Sequence, residues 1–258
     1  MDNHTFVICA YGESQYLEAC VLSIVKQSVK EKIVIATSTI NDHILGIGKK
    51  YNIEILPHSG GSIGKDWNFG YECANSKYVT LVHQDDIYHE KYLEKMLAAM
   101  DKNKDTLISF SNYEEIRNNE IVSKNKNLKI KEFLLSIFRI SNKNKMIRRR
   151  ALSMGNPICC PTVTYNKSLL ENFRFHMEFS TNLDWAAWEQ ISQYKGRFIY
   201  LSETLMYHRI HAESETSNTI NNNKRSEEDL LMLKKFWPSS IAQIIFYFYK
   251  KSEKANSL

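Results

Sequence analysis

Over its first 110 residues the chain switches repeatedly between two hydrophobic periods, and this alternation restricts the fold more than any other feature. Thr5–Ala10 (TFVICA), Lys32–Thr37 (KIVIAT), Asn52–Leu56, Tyr78–His83 (YVTLVH) and Thr106–Phe110 are apolar runs of strand length. Between them, apolar residues fall at helical spacing in Tyr16–Gln27 (Leu17, Cys20, Val21, Ile24, Val25), Asp42–Tyr51, Asp66–Asn75 and Glu90–Met100. Strands apolar on both faces need cover on both, so the pattern predicts an α/β fold with a mostly parallel sheet between helices. Ligands of such sheets bind beyond the carboxyl ends of the strands. The loops after Ala10, Thr37, Pro57 and His83 are therefore where a site is expected.

After Tyr113 the pattern changes. Asn118-Asn119 reads as a hairpin turn, Leu128–Ile140 as an amphipathic helix and Asp184–Tyr194 as another helix. Short strands are expected near Phe198–Leu201 and Leu205–Arg209. A polar linker, Ser214–Arg225, then leads to helices at Ser226–Phe236 and Ser240–Lys251. Charge is distributed unevenly: residues 117–150 hold eleven Lys/Arg and two acids, whereas the rest holds 23 basic and 27 acidic residues. That segment reads as a solvated helical face, a lid, or a patch for anionic lipid. It has few aromatics and no recognised nucleic-acid motif, so no nucleic-acid partner is expected. The five cysteines lack any CxxC spacing and read as buried thiols of a reducing cytoplasm. The polar opening Met1–His4 carries no basic segment ahead of an apolar run, so no secretory leader is expected. No stretch nears the ~20 apolar residues of a membrane span.

Two phrases at strand ends carry chemistry. Cys9-Ala10-Tyr11-Gly12-Glu13 closes the first strand, and Val82-His83-Gln84-Asp85-Asp86 closes the fourth. Adjacent carboxylates beside a His suit a divalent cation with hard oxygen ligands. They equally suit the N-cap of the helix from Glu90, and spacing alone leaves both readings open.

In order, these phrases resemble the family 2 glycosyltransferases of GT-A fold. Ala10–Leu17 (AYGESQYL), Ser23–Ser28 (SIVKQS), His83–Asp86, Gly155-Asn156-Pro157-Ile158, Leu183-Asp184-Trp185 and His208-Arg209-Ile210-His211 occupy the family's sequence of motifs over roughly 5–217. The resemblance implies a Rossmann-like GT-A domain over 1–217, with a nucleotide-sugar-binding half (1–113) and an acceptor-side half (114–217) containing the basic insertion 117–150. A C-terminal helical tail, 218–258, follows. It implies an inverting transfer from a nucleotide-diphosphate sugar, a UDP-sugar first, to a hydroxyl of a cell-surface glycan or lipid-linked saccharide.

Carried over, the family roles place Tyr11 on the nucleotide base and Glu13 near the nucleoside. Thr37, Ser38, Lys65, Asn68, His83, Gln84, Asp85 and Asp86 fall around the donor. Asp85 with His211 would hold Mn2+ or Mg2+, Asp184 would be the catalytic base, and Asn156 and Trp185 would lie on the acceptor side. Other readings stand beside these: Tyr11 as a packed aromatic, Asp184 as a helix cap, His211 as a surface residue.

Three departures concern the donor. His83 replaces the first Asp of Asp-x-Asp. Ala36-Thr37-Ser38-Thr39 replaces the acidic pair that reads the base, and no Arg precedes Asn68, Lys65 being the nearest substitute. They keep a rival alive, a non-catalytic sugar-nucleotide-binding scaffold of an envelope assembly complex. A nucleotidyltransferase would need a Gly-rich phosphate loop that Tyr11-Gly12-Glu13 is not. The expected location is cytoplasmic or peripheral at the inner face of the plasma membrane. Contact there would come through 117–150 or the apolar-aromatic run 240–251, which reads equally as closing the core or a homodimer.

Overall fold

The computed structural model describes residues 3–123, 126–140, 142–211 and 223–254. Among the described residues, nine strands form one sheet: β1 (His4–Ala10), β2 (Lys32–Thr37), β3 (Glu54–Pro57), β4 (Tyr78–His83), β5 (Ile87–Tyr88), β6 (Thr106–Arg117), β7 (Glu120–Val122), β8 (Val163–Asn166) and β9 (Arg197–Ile210). Their order is β3-β2-β1-β4-β8-β6-β9-β5, with β7 paired to β6. β3, β2, β1 and β4 run parallel, and β6 and β9 pair in parallel; β8 lies antiparallel between β4 and β6. Six of these strands thus run the same way and β5, β7 and β8 run against them, so the parallel core that the two-sided apolar strands require is joined by antiparallel pairings.

Helices α1 (Leu17–Val25), α2 (Asp42–Tyr51), α3 (Ile63–Cys73) and α4 (Tyr92–Lys102) alternate with these strands. The burial of Leu17, Cys20, Val21 and Ile24 on α1 is the helical stripe read from sequence. Alternation along β1 sends Phe6, Ile8 and Ala10 into one core with Val21, Tyr92 and Met96, and Val7 into the other with Trp67, Tyr71 and Leu81. Gln27, 1% exposed, donates to the carbonyls of Ser23 and His89 and accepts from the Leu93 amide, fixing α1 to the start of α4.

Several boundaries differ from expectation for local reasons. β3 starts at Glu54 rather than Asn52, because Asn52 is the left-handed cap (φ 53°) that ends α2. α3 begins at Ile63, not Asp66, because Ser62 caps it by accepting from the Lys65 amide at 3.3 Å. β6 extends past Phe110 to Arg117 because it pairs along its length with β9, which is one bulged strand instead of two short ones. Asn118 and Asn119 both have positive φ, 50° and 65°, and turn the chain into β7 as a two-residue hairpin needs. β8 and a helix at Lys145–Leu152 were not expected.

The basic segment corrects a stronger expectation. It folds as α5 (Lys126–Ile140) and α6 (Lys145–Leu152), and α5 buries Leu128, Leu135 and Phe138. Arg148 is fully buried and donates to the carbonyls of Gly196 (2.6 Å), Ser192 (2.9 Å) and Tyr194 (2.8 Å). Arg149 pairs with Glu189 and bonds the Lys235 carbonyl; Arg150 lies 4.3 Å over Trp237. Lys143 pairs with Asp105, and Lys145 bonds the Gln193 carbonyl. The Arg148–Arg150 run therefore fastens α6 to its neighbours and does not form one cationic face.

Helix α7 (Leu183–Ser192) follows, then two tail helices, α8 (Asn223–Lys234) and α9 (Ser239–Lys254). Met232, Leu233 and Ala242 are fully buried, so the tail closes the core, while Ile244, Tyr247 and Phe248 face outward. Most of the expected linker 214–225, the 217/218 boundary and Lys124-Asn125 lie outside the described residues. Among the described residues no helix is long and apolar enough to cross a membrane. Replacing Arg148 with Met would leave three carbonyls, two of them in buried bonds, without their charged donor. Urea unfolding should show a loss of about 3 kcal/mol through a lower midpoint with unchanged slope.

Candidate active site

The site forms where strand order reverses, between the ends of β1 and β4. Gly12 takes φ 61° there, and its amide bonds the Thr39 hydroxyl at 2.6 Å while Asn41 Nδ2 reaches its carbonyl at 3.0 Å. Across the crevice, the Tyr11 amide donates to Gln84 Oε1 (2.9 Å) and Gln84 Nε2 donates to the Tyr11 carbonyl (3.0 Å). This two-bond clamp fixes both loops, and the Tyr11 ring is left 63% exposed beside the exposed Glu13. Tyr11 is thus no packed core aromatic.

Asp85 and Asp86 have separate tasks. Asp86 is fully buried, and its Oδ1 accepts from His208 Nδ1 (2.9 Å) and the Arg209 amide (3.0 Å). Burial opposes charge on His208, but the adjoining Asp86 carboxylate outweighs it and holds the imidazole above its ordinary pKa. Asp85 Oδ2 meets His211 Nε2 at 3.0 Å, and the Asp85 carbonyl accepts from Arg209 Nε at 3.1 Å. The Arg209 guanidinium lies 4.5 Å over the Tyr16 ring, which also packs against His211. Neither carboxylate caps α4, whose N-cap residue is Lys91 without a side-chain bond. The capping alternative is thereby removed, and His211 lies against Asp85 instead of apart from it.

His83, Asp85 and Asp86 offer ligand atoms all within 4.8 Å of one another. Asp86 Oδ2 and His83 Nε2 are buried without a hydrogen-bond partner in the structure. Mixed carboxylate and imidazole donors with an unsatisfied buried oxygen fit a divalent cation. His83 stacks on Trp67, ring centroids 5.2 Å apart and 24° from parallel, and burial pushes its pKa down against the pull of Asp86 and Asp85. Trp67 is the residue before Asn68, so two of the departures from the family pattern pack on each other as an aromatic stack.

The missing acid after β2 has a spatial counterpart. Asp66 comes from α3 to hydrogen-bond Ser38 and lies 3.3 Å from His58 Nε2; burial pushes its pKa up, against those two partners. Sequence reading missed it because its partner lies 28 residues earlier, on another strand's loop. Thr37 is buried, its hydroxyl accepting from the Thr39 amide and its carbonyl from that of His58, so it shapes the loop from inside. Lys65 is exposed at the start of α3. Asn68 instead bonds the Phe175 backbone through both amide groups, at 3.1 and 2.8 Å, and latches that segment to α3.

Asp184, in the first turn of α7, accepts from its neighbour's amide at Trp185 (2.7 Å) and from Asn156 Nδ2 (2.6 Å). The N-cap position belongs to Asn182, so Asp184 is no cap. Burial pushes its pKa up while the two hydrogen bonds act against the rise, a suitable setting for a base. Asn156 thus sits beside Asp184. Trp185 does not present an acceptor surface: it is 1% exposed, with Nε1 donating to the Leu152 carbonyl at 2.9 Å. Its indole is too large and apolar to stay outside when the α6–α7 core can enclose it.

An α/β sheet whose carboxyl edge gathers a carboxylate–imidazole cluster, an exposed aromatic and a separate, partly enclosed carboxylate defines a nucleotide-sugar transferase architecture. The glycosyl transferase family 2 model matches residues 5–173, and the chain belongs to that family. It is a glycosyltransferase. An uncharacterized glycosyltransferase of Haemophilus influenzae is 23% identical over 237 residues, 83% of this chain and 67% of the relative. Among solved structures, S. aureus TarS 1–349 in complex with UDP-GlcNAc superposes with a TM-score of 0.69 at 18% identity, covering 94% of this chain and 70% of that one. The mannosyltransferase PcManGT from Pyrobaculum calidifontis, with GDP-Man and Mn2+, gives 0.66 at 11% identity, covering 95% and 70%. These likenesses establish the GT-A fold.

The division of labour between the carboxylates is testable by thermal unfolding. Asp86→Ala should cost about 2 kcal/mol or more, since a buried acceptor of a charged donor is lost. Asp85→Ala should leave unfolding nearly unchanged. Equal losses would show that the two residues are not so divided.

Proposed function

We propose that the protein is an inverting, metal-dependent glycosyltransferase that moves a sugar from a nucleoside diphosphate, UDP first, to an acceptor hydroxyl. The observation that carries this is the convergence of β4 and β9, which sets Asp85 and His211 3.0 Å apart at the carboxyl edge of the sheet. Asp85 and His211 would hold Mn2+ or Mg2+, with His83 and Asp86 at its border; the ion supplies positive charge to the leaving diphosphate. Tyr11 offers its exposed ring as a stacking surface for the base, worth roughly 1–3 kcal/mol. Ser38 and Asp66 offer polar atoms on the same edge.

Asp184 takes the proton from the acceptor hydroxyl. The freed oxygen bonds to the anomeric carbon as the carbon–oxygen bond to the phosphate breaks, and that electron pair leaves with the nucleoside diphosphate. Attack from the face opposite the leaving group inverts the centre. Asn156 holds one carboxylate oxygen of Asp184 and orients the other lone pairs. The neighbours solved with UDP-GlcNAc and GDP-Man support a nucleotide-sugar donor without naming its base. We extend the reading to a glycan or lipid-linked acceptor at the inner membrane face, because α9 turns Ile244, Tyr247 and Phe248 outward.

A thermal-shift screen of UDP, GDP, CDP and dTDP with and without Mn2+ tests donor binding. A ligand at 100 times its Kd stabilises by about 2.7 kcal/mol. We expect a Mn2+-dependent shift with one nucleotide, lost in Asp85→Ala and His211→Ala. Silence with every nucleotide would count against donor binding and so against this reading. Asp184→Asn should lower turnover by about 10² or more with donor binding kept; normal turnover in that variant would refute the base assignment.

A further inference from the structure

Helix α7 is gripped at both ends by charged side chains from elsewhere in the chain. At its start, Glu228 of α8 is 4% exposed and faces the three residues leading into the helix. Its Oε1 accepts from the Ser180 amide (2.9 Å) and hydroxyl (2.8 Å). Its Oε2 accepts from the Thr181 amide (2.8 Å), the Thr181 hydroxyl (2.7 Å) and the Asn182 amide (3.1 Å). Asn182 Nδ2 further donates to Asp229 Oδ1 at 2.8 Å. At the other end, the Arg148 guanidinium takes the carbonyls of Ser192, Tyr194 and Gly196. An anion at the N-terminus and a cation at the C-terminus match the helix macrodipole and satisfy amides and carbonyls that a helix leaves unpaired.

Asp184 is only two residues past Asn182. Any slide or tilt of the helix entry moves its carboxylate directly, and a misplacement of about 1 Å can cost on the order of 10²-fold in rate. The donor-side groups Tyr11, Gln84, Asp85 and His211 are held by β1, β4 and β9 through bonds that do not involve α7. We propose that Glu228 is a positioning residue for Asp184: its carboxylate sets the entry of α7 and so aligns the base with the acceptor hydroxyl. The inference rests on Asp184 being the base. It makes α8, which lies beyond the family-matched 5–173, part of the catalytic apparatus.

Steady-state kinetics of the full chain test this with Glu228→Gln, Glu228→Asp and Asp184→Asn, each checked for donor binding by thermal shift. In Glu228→Gln an amide nitrogen opposes N–H and O–H donors, so kcat should fall about 10- to 100-fold with donor KM within about twofold. Glu228→Asp keeps both acceptor oxygens and should recover most of that loss. A folded Glu228→Gln variant with kcat within about twofold of the parent would overturn the proposal, as would a loss shared equally by donor KM. Turnover persisting in Asp184→Asn would overturn the base reading itself, whatever Glu228 does. Should Glu228→Gln not fold, the double variant Ser180→Ala/Thr181→Val removes two of the hydrogen bonds and keeps the charge. A kcat loss with steady KM supports the proposal there, and an unchanged kcat refutes it.

Discussion

The buried Asp86 carboxylate is the contact on which the donor side of this molecule depends. It sits at the end of β4 and receives His208 and the Arg209 amide from a strand 122 residues further on. A fully buried carboxylate without partners would be very costly, so the fold must supply donors, and it does so by bringing the end of β9 over the crevice. Once β9 is fixed there, Arg209 closes on the Asp85 carbonyl and Tyr16, and His211 falls opposite the Asp85 side chain. The site residue and its anchor are adjacent in sequence, which explains how a two-residue phrase both builds a cleft and furnishes it.

The same economy of charge governs the acceptor side. Asp184 is partly enclosed, and burial raises its carboxyl pKa against the pull of two hydrogen bonds. Its geometry is inherited from α7, whose polar ends are satisfied by Glu228 and Arg148. A run of arginines that looks like a cationic surface in one dimension is in three dimensions a set of internal fasteners. Guanidinium groups suit that task, since their planar array of donors can serve several carbonyls at once.

The alternation of apolar runs was legible because β1, β2 and β4 are buried on both faces, where hydrophobicity alone dictates position. The strand-end phrases were legible because chemistry there needs particular residues at particular spacings, and His211 and Asp85 do meet. What was not legible depended on partners distant in sequence. β8 is four residues long and takes its place from β4 and β6 rather than from its own pattern. Trp185 follows Asp184, yet its direction is decided by the core it enters; Asn68, expected around the donor, has both its amide oxygen and its amide nitrogen taken by the Phe175 backbone.

The departures from the family pattern acquire a common logic in space. His83 stands where the family has a carboxylate, and it stacks on Trp67, the residue before Asn68, so that two of the departures are in contact. On the far side of β1, Asp66 brings a carboxylate back to the β2 loop beside Ser38. The cleft thus has carboxylates beside both loops, Asp66 at the β2 loop and Asp85 and Asp86 after β4. The proposed base, Asp184, is held by the Trp185 amide and Asn156, so the contacts that shape the donor loops can vary without touching those that hold the base.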